Sequence, residues 1–278
     1  MHVDSLSIKE IEELGYYDFM AYLEVPFFNI GGAPSLDLLA ERCRISECSH
    51  ILDVGCGTGG NAVHLAEHFG CKVTGVDISE LMIEQAKMRA SKLDVGDKLE
   101  FYVGDAYNLN FPDDCFDAVL TIFVSQFLDI DRAFPEFKRV LRPGGYLGIN
   151  EMYRLGDVRL EDLEKVDYAE QVYRELTELP FRIRSPEAWE EGFVGSGFTE
   201  VSVESFNEFI DVQSGLGMIK ELGGWLNLFR LLWKTLSLGL RSGKIRERYG
   251  KMSKGKNVML RDKRTSKYFG YVLGVGKN

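Results

Sequence analysis

Between residues 49 and 151 the chain switches regularly between short apolar runs and stretches with a helical spacing of apolar positions. Residues 49–54 (SHILDV), 71–77 (CKVTGVD), 98–105 (KLEFYVGD), 116–124 (FDAVLTIFV) and 145–152 (GYLGINEM) read as strands: they are short and largely apolar. The segments 60–69, 79–93 and 129–141 carry the helical period, with Ser79 placed to cap the second and Pro143-Gly144-Gly145 to break the third. Near-continuous apolar strands joined by helices need cover on both faces, which predicts an α/β fold around a largely parallel sheet.

On either side the alternation loosens. Residues 7–23 read as one helix opened by a Ser7/Glu10 capping box, followed by the turn-prone EVPFFNIGGAPS and a second helix over 35–42. Beyond residue 151 come helices over 157–179 and 185–198, a sixth strand in TEVSVESFNEF and a seventh in SKYFGYVLGVGK. Between these last two strands lies an insertion, 211–265. Its centre, GWLNLFRLLWKTLSLGL, is apolar nearly all round, with Asn227, Arg230, Lys234 and Ser237 aligned on one stripe. The expected organisation is therefore cap helices over 1–45, a core over 46–210 with flanking helices at 152–185, the insertion, and a last core strand over 266–278.

Composition narrows compartment and partners. A chain of 278 residues with 45% hydrophobic content can bury a core without staples. Its five cysteines, Cys43, Cys48, Cys56, Cys71 and Cys115, are odd in number and form no CxxC pair, which points to a reducing compartment. The start is polar and acidic, and no apolar run reaches the roughly 18 residues of a spanning helix. The cytoplasm is the expected location, with peripheral contact at the inner face of the membrane as an option. The net charge of −10 hides an asymmetry: residues 241–278 carry 12 Lys/Arg against Glu247 and Asp262, leaving a net −20 on the remainder. An acidic body would repel phosphates around any basic contact, so no nucleic acid partner is expected.

The chemistry gathers at strand ends. The first strand runs straight into DVGCGTGG, where Gly55, Gly57 and Gly59 would let a ligand approach the backbone ahead of a helix N-terminus. Asp53 precedes this loop. Asp77 closes the second strand, where an acid accepts from ribose hydroxyls. Asp105 closes the third, where it can accept from an adenine amino group while Ala106 leaves room for the ring. A nicotinamide dehydrogenase would share the glycines, but Asp53 fits its fingerprint poorly and Gly104-Asp105-Ala106 would have no task there.

The ordered run DVGCGTGG…GVDIS…GDAYNLNFPDDCFDAV…LRPGGYL resembles the class I S-adenosylmethionine (SAM)-dependent methyltransferases over residues 27–151. The ubiquinone/menaquinone-biosynthesis and phosphoethanolamine types are nearest in pattern. This resemblance implies a Rossmann-like, seven-stranded, mostly parallel sheet with helices on both faces and the last strand antiparallel. It implies SAM as cofactor and S-adenosylhomocysteine as product. It assigns Asp53, Gly55 and Gly57 to the methionine end, Asp77 and Ile78 to ribose and adenine, and Asp105 and Ala106 to the adenine edge. Cys56 in the loop and Thr121 on the fourth strand complete the expected cofactor set. Ile30 and Gly31 match a turn that, in the phosphoethanolamine type, folds over the methionine moiety, with Tyr16 or Tyr17 as lid residues. An ordinary helix start with Pro34 in its first turn is the plainer reading.

Methyl transfer from a sulfonium demands alignment and exclusion of water more than it demands a base. Where the acceptor needs one, Glu151 and Tyr153 just past the fifth strand are the candidates, although Glu151 could simply cap the strand end. Ser125 and Gln126 stand either where the methyl emerges or at the start of the next helix. No metal is expected. His64 and His68 read as a solvated helix face, and the cysteines lack the spacing of arsenite methyltransferases. The expected function is methylation of a small, hydrophobic, quinone- or lipid-like acceptor. An amine or phosphobase N-methyltransferase and a catalytically silent SAM-binding regulator are the alternatives. For the insertion, a lid over a greasy pocket, an anionic membrane contact, a homodimer interface and plain packing on its own domain all stay open.

Overall fold

The computed structural model describes residues 6–24, 31–207 and 224–278. Its strands are β1 (His50–Val54), β2 (Lys72–Asp77), β3 (Leu99–Val103), β4 (Phe116–Ile122), β5 (Leu141–Arg154), β6 (Thr199–Phe206) and β7 (Phe269–Lys277). They form one sheet in the order β3-β2-β1-β4-β5-β7-β6. The first five strands pair in parallel, while β7 runs antiparallel to both β5 and β6. Because β2 and β3 lie to one side of β1 and β4 to the other, the chain reverses its winding between β1 and β4. At such a switch point the flanking loops diverge and leave a crevice at the carboxyl ends of the strands.

One face is covered by α3 (Gly32–Arg42), α4 (Gly60–Phe69) and α5 (Glu80–Ala90), through Leu36, Leu39, Leu65 and Ile83. The other is covered by α6 (Ile130–Val140) and α8 (Pro186–Gly195), through Phe134, Phe137, Trp189 and Phe193. Both faces of β1, β2, β4 and β7 are thereby largely buried, as their apolar character requires, while β6 at the sheet edge has no buried residue. Beyond the carboxyl ends sit α1 (Ile8–Glu13), α2 (Tyr16–Tyr22), α7 (Leu160–Thr177), α9 (Trp225–Arg241) and α10 (Gly243–Leu260). Phe127 after β4, Met152 of β5, Phe181 after α7 and Met259 of α10 pack together there, and Ile11, Phe19, Leu238 and Ile245 join α1, α2, α9 and α10.

Three elements differ from the sequence pattern. The helix over 7–23 divides at Leu14-Gly15, with Gly15 capping α2, because glycine gives up the most conformational freedom inside a helix. Its capping box forms: Glu10 N donates to Ser7 Oγ at 3.3 Å and Ser7 N to Glu10 Oε2 at 2.7 Å. The fifth strand begins at Leu141, so Pro143-Gly144-Gly145 is an irregularity inside β5, where the register against β4 shifts. The basic stretch after the apolar helix is itself helical. Ser242 separates α9 from α10 and caps the latter by accepting from Ile245 N at 3.0 Å.

Gly59 shows how tightly the glycine loop is seated. It has φ +77°, and a Cβ there would lie 2.9 Å from Phe101 Cζ and 3.1 Å from Ala86 Cβ. Gly59→Ala is expected to cost roughly 2 kcal/mol or more of stability in denaturant unfolding, from left-handed backbone strain plus the clash.

Candidate functional site

The loop after β1 is pinned to the neighbouring strand before any ligand is considered. Gly55 N and Cys56 N both donate to Val76 O, at 2.7 and 3.0 Å. Gly57 N donates to Asp77 Oδ2 at 2.9 Å, and Ser79 N to Asp77 Oδ1 at 2.9 Å. Gly55 takes φ +71° with its Cα against Val124, so any side chain would drive the β1 and β4 loops apart. Gly57 differs: a Cβ there would meet nothing closer than Met82 Sδ at 3.9 Å. Bare backbone beside open space, next to two carboxylates, suits close approach by a ligand.

Asp53 and Asp77 are those carboxylates. Asp53 is buried and its Oδ2 has no hydrogen-bond partner among the described residues. Burial, and then the charge of Asp77, push its carboxyl up to about 7. Asp77 is also raised by burial, against the opposing pull of the Ser79 and Gly57 amides. A cationic or hydroxyl-bearing ligand would complete both groups, which is how SAM, with its sulfonium, amino group and ribose, would fit here. Ile78 follows with 69% of its surface exposed, an apolar shelf at the mouth. Gly104 N donates to Asp77 O at 3.0 Å, which sets Asp105 beside Asp77 at the end of the adjoining strand. Asp105 Oδ1 accepts from Tyr107 N at 2.9 Å, and Ala106 is half-buried behind it.

A second polar centre lies across the switch point. Glu151 is fully buried on β5, and its Oε1 accepts from Ser125 N at 2.6 Å, Val124 N at 2.9 Å and Thr121 Oγ1 at 3.3 Å. Among the described residues neither its Oε2 nor Gln126 Nε2 has a hydrogen-bond partner. Burial pushes Glu151 up to about 8 despite the amides that favour its charged form. The turn it holds contains Phe123 at φ +61°, a strained setting for a bulky residue. Helix α2 closes over both centres. Tyr17 packs edge-on to Phe127 at 5.8 Å, and its hydroxyl is raised first by burial and then by the charges of Tyr16, Asp77 and Glu151. Asp18 accepts from Ser79 Oγ at 2.5 Å, tying α2 to the start of α5.

The structure thus brings together Asp53, Gly55, Cys56, Gly57, Asp77, Ile78, Asp105 and Ala106 at adjoining strand ends. Thr121 is committed elsewhere, its hydroxyl 2.7 Å from Ser125 Oγ and directed at Glu151. Tyr153 is not brought to the site: it packs over Gly270 of β7, and its hydroxyl bonds Asn207 past the end of β6. Gly31 caps α3, whose Ser35 accepts from Asn150 Nδ2 of β5 at 2.9 Å. Ile30 lies outside the described residues. Asp18, Phe123, Arg184 and the aromatic pair Tyr173 and Phe181 were not legible as site-side residues. Their partners come from distant segments, and a positive φ at phenylalanine leaves no sequence signature. Arg184 Nη1 donates to Ser125 O at 3.4 Å. The ring centroids of Tyr173 and Phe181 lie 5.3 Å apart, and those of Phe181 and Phe127 4.9 Å.

Apart from Cys56 in the glycine loop, the other reactive residues lie away from the site. His64 Nε2 bonds Asp37 at 2.6 Å and its ring stacks on His68 at 4.0 Å on α4. The five cysteines are free thiols, and burial pushes Cys56 well up and Cys43 up to about 12. No helix among the described residues is long and apolar enough to cross a membrane.

Comparison with known proteins shows what the chain is similar to. Residues 52–149 match the family model described as a methyltransferase domain. Over 128 residues the chain is 37% identical to a sterol 24-C-methyltransferase of Gibberella zeae, covering 46% of this chain and 34% of that protein. The chain therefore spans about a third of the length of the sterol methyltransferase it matches. An uncharacterized protein of Haemophilus influenzae is 28% identical over 229 residues, covering 81% of this chain and 87% of its own. Among solved structures, the [4+2]-cyclase SpnF superposes with a TM-score of 0.71 at 20% identity, covering 98% of this chain and 96% of the cyclase. Phosphoethanolamine N-methyltransferase 2 of Haemonchus contortus, in complex with S-adenosyl-L-methionine, gives 0.67 at 21% identity over 98% of this chain and 60% of its own. These structures share the Rossmann-like fold.

Proposed function

We propose that the chain, whose residues 52–149 match the methyltransferase-domain family model, transfers a methyl group from SAM to a small apolar, lipid-like acceptor. A cyclase shares the fold, so fold alone does not choose the reaction. The observation that carries the reading is the pair Asp53 and Asp77 beside the bare backbone of Gly57. When bound there, SAM supplies an electrophilic methyl on a positive sulfur. Asp53 offers its unpartnered oxygen to a cationic group, Asp77 accepts from ribose hydroxyls, and Ile78 and Ala106 flank the adenine.

The acceptor is drawn from the other centre. Phe123, Phe127, Tyr173 and Phe181 form an aromatic wall beside Glu151, with Tyr17 above it. Such a wall excludes water and packs an apolar substrate. The sterol methyltransferase likeness supports the same acceptor class. Glu151, with one oxygen holding the β4 turn and one unpartnered, is the group able to take a proton from the acceptor. Tyr153, turned toward β6, has no part in this reading.

Asp77→Ala is expected to abolish SAM binding in titration calorimetry; retained affinity would move the cofactor site elsewhere. Labelled SAM offered with prenylated quinols, sterols and phosphobases should label the apolar acceptors. Label appearing only on phosphobases would overturn the acceptor class, and binding without any turnover would favour a regulatory SAM-binding protein.

A further inference from the structure

Helix α9 places two surfaces side by side that the catalytic reading leaves unused. Trp225, Leu226, Phe229, Leu232, Trp233, Leu236 and Leu240 recur at helical spacing and are all exposed, Leu226 to 81%, Leu240 to 74% and Trp233 to 73%. Leu238 and Leu231 pack on the protein instead, so the helix is held in place with its wider apolar face outward. Soluble proteins rarely leave so continuous an apolar stripe without a partner. On the adjoining flank, Arg230, Lys234 and Arg241 open onto a cleft of about 710 Å³ that Arg89 and Lys92 of α5 and its C-terminal turn complete from the other side. Among the described residues Glu24 is the one carboxylate lining that cleft, where it pairs with Lys234 at 3.5 Å, and Arg89 Nε donates to Thr58 O at 2.9 Å. Trp233 borders both surfaces.

We propose that α9 and this cationic cleft together dock the protein on an anionic phospholipid bilayer, the apolar face entering the headgroup boundary and the cleft receiving lipid phosphates. The division matches an interfacial helix, with Trp, Phe and Leu on one face and Arg and Lys on the next. Charge decides against a second copy of this chain on the same face. Residues 225–246 contain Arg230, Lys234, Arg241, Lys244 and Arg246 and no acidic residue. A two-fold pairing of α9 would set these cations against one another, whereas a negative membrane surface neutralises them. The docked helix is also joined to the site. Lys234 donates to Tyr22 O at 2.5 Å at the end of α2, and α2 carries Tyr17 over Glu151 and Asp77. A bilayer at α9 therefore lies against the cap of the crevice.

The test is flotation of the full chain with phosphatidylcholine vesicles, with and without phosphatidylglycerol. No activity measurement is involved, so the outcome is separate from the methyltransferase reading. The wild type is expected to float with the anionic vesicles and to be released by salt. Replacing Arg230 and Arg241 by glutamate should weaken partition by about fivefold or more for each cation removed. Replacing Leu226 and Leu240 by glutamine should abolish it. These four side chains are exposed, and unchanged thermal midpoints would exclude misfolding. Absence of flotation, or flotation that survives both pairs of substitutions, overturns the proposal. So does a vesicle-free dimer in light scattering that the leucine pair dissociates, since it would give the face to a second copy.

Discussion

Asp53→Asn is expected to stabilise the free protein at pH 8 while weakening cofactor binding about 100-fold, the loss of one or two charge-assisted hydrogen bonds. The sign follows from the proton. Unfolded, Asp53 titrates near the ordinary value of about 3.9; folded, burial and then Asp77 hold it at about 7. Folding therefore takes up a proton between these values. The stability tied to Asp53 is present at low pH and lost as pH rises through 7. Asparagine has no charge to bury, so the gain should be largest at pH 8, shrink as pH falls and vanish only below about 4, where folded and unfolded Asp53 are both protonated. Ligand binding runs the other way. A cationic group favours the ionised carboxylate, so wild-type affinity should be full above pH 7 and fall about tenfold per unit below it. The variant should lose that slope. Thermal unfolding at two pH values and calorimetric titration would measure both effects. A variant that binds as tightly as the wild type would remove Asp53 from the site.

Two substitutions at Glu151 separate its hold on the β4 turn from the proton transfer proposed for it. Alanine leaves Val124 N and Ser125 N without their acceptor, beside a phenylalanine already at positive φ, and is expected to cost about 2–5 kcal/mol of stability. Glutamine keeps an oxygen for those amides and should fold like the wild type. For an acceptor that loses a proton, glutamine should cut turnover by about 10²–10⁴ with cofactor affinity unchanged. Wild-type turnover should rise with pH through a limb near 8, where Glu151 ionises, and that limb should vanish in the glutamine variant. Full turnover by Glu151→Gln would make Glu151 a positioning residue for the β4 turn.

The proposed cofactor half of the site was legible because it is local. Asp53, the glycines, Asp77 and Asp105 each sit at the end of an apolar run, so the period that reveals the strands also locates their carboxyl ends. The acceptor half depends on contacts between segments far apart. Tyr17, Phe127, Tyr173 and Phe181 meet only because α2 and α7 fold over the sheet, and no spacing within any one segment announces it. Tyr153 shows the limit of reading a strand end by position. Two residues from Glu151, it shares neither its turn nor its surroundings, because β7 pairs alongside and draws the ring toward β6. The apolar character of α9 was visible in sequence; that its apolar arc faces outward required the packing of Leu231 and Leu238.

The position of β7 bears on how the chain folds. Strands β5 and β6 are not bonded to each other; each pairs with β7, Tyr146 and Thr199 both opposite Lys277. The ribosome makes β6, then the segment containing α9 and α10, and only then β7. A chain interrupted in that segment would hold β5 with an open edge and β6 with nothing to pair to, the state most exposed to edge-to-edge aggregation. Closing the sheet draws together residues more than a hundred positions apart, a slow, non-local step. The helical layer is thus completed before the sheet that supports it, and deletions meant to trim the cap would tax the folding of the core.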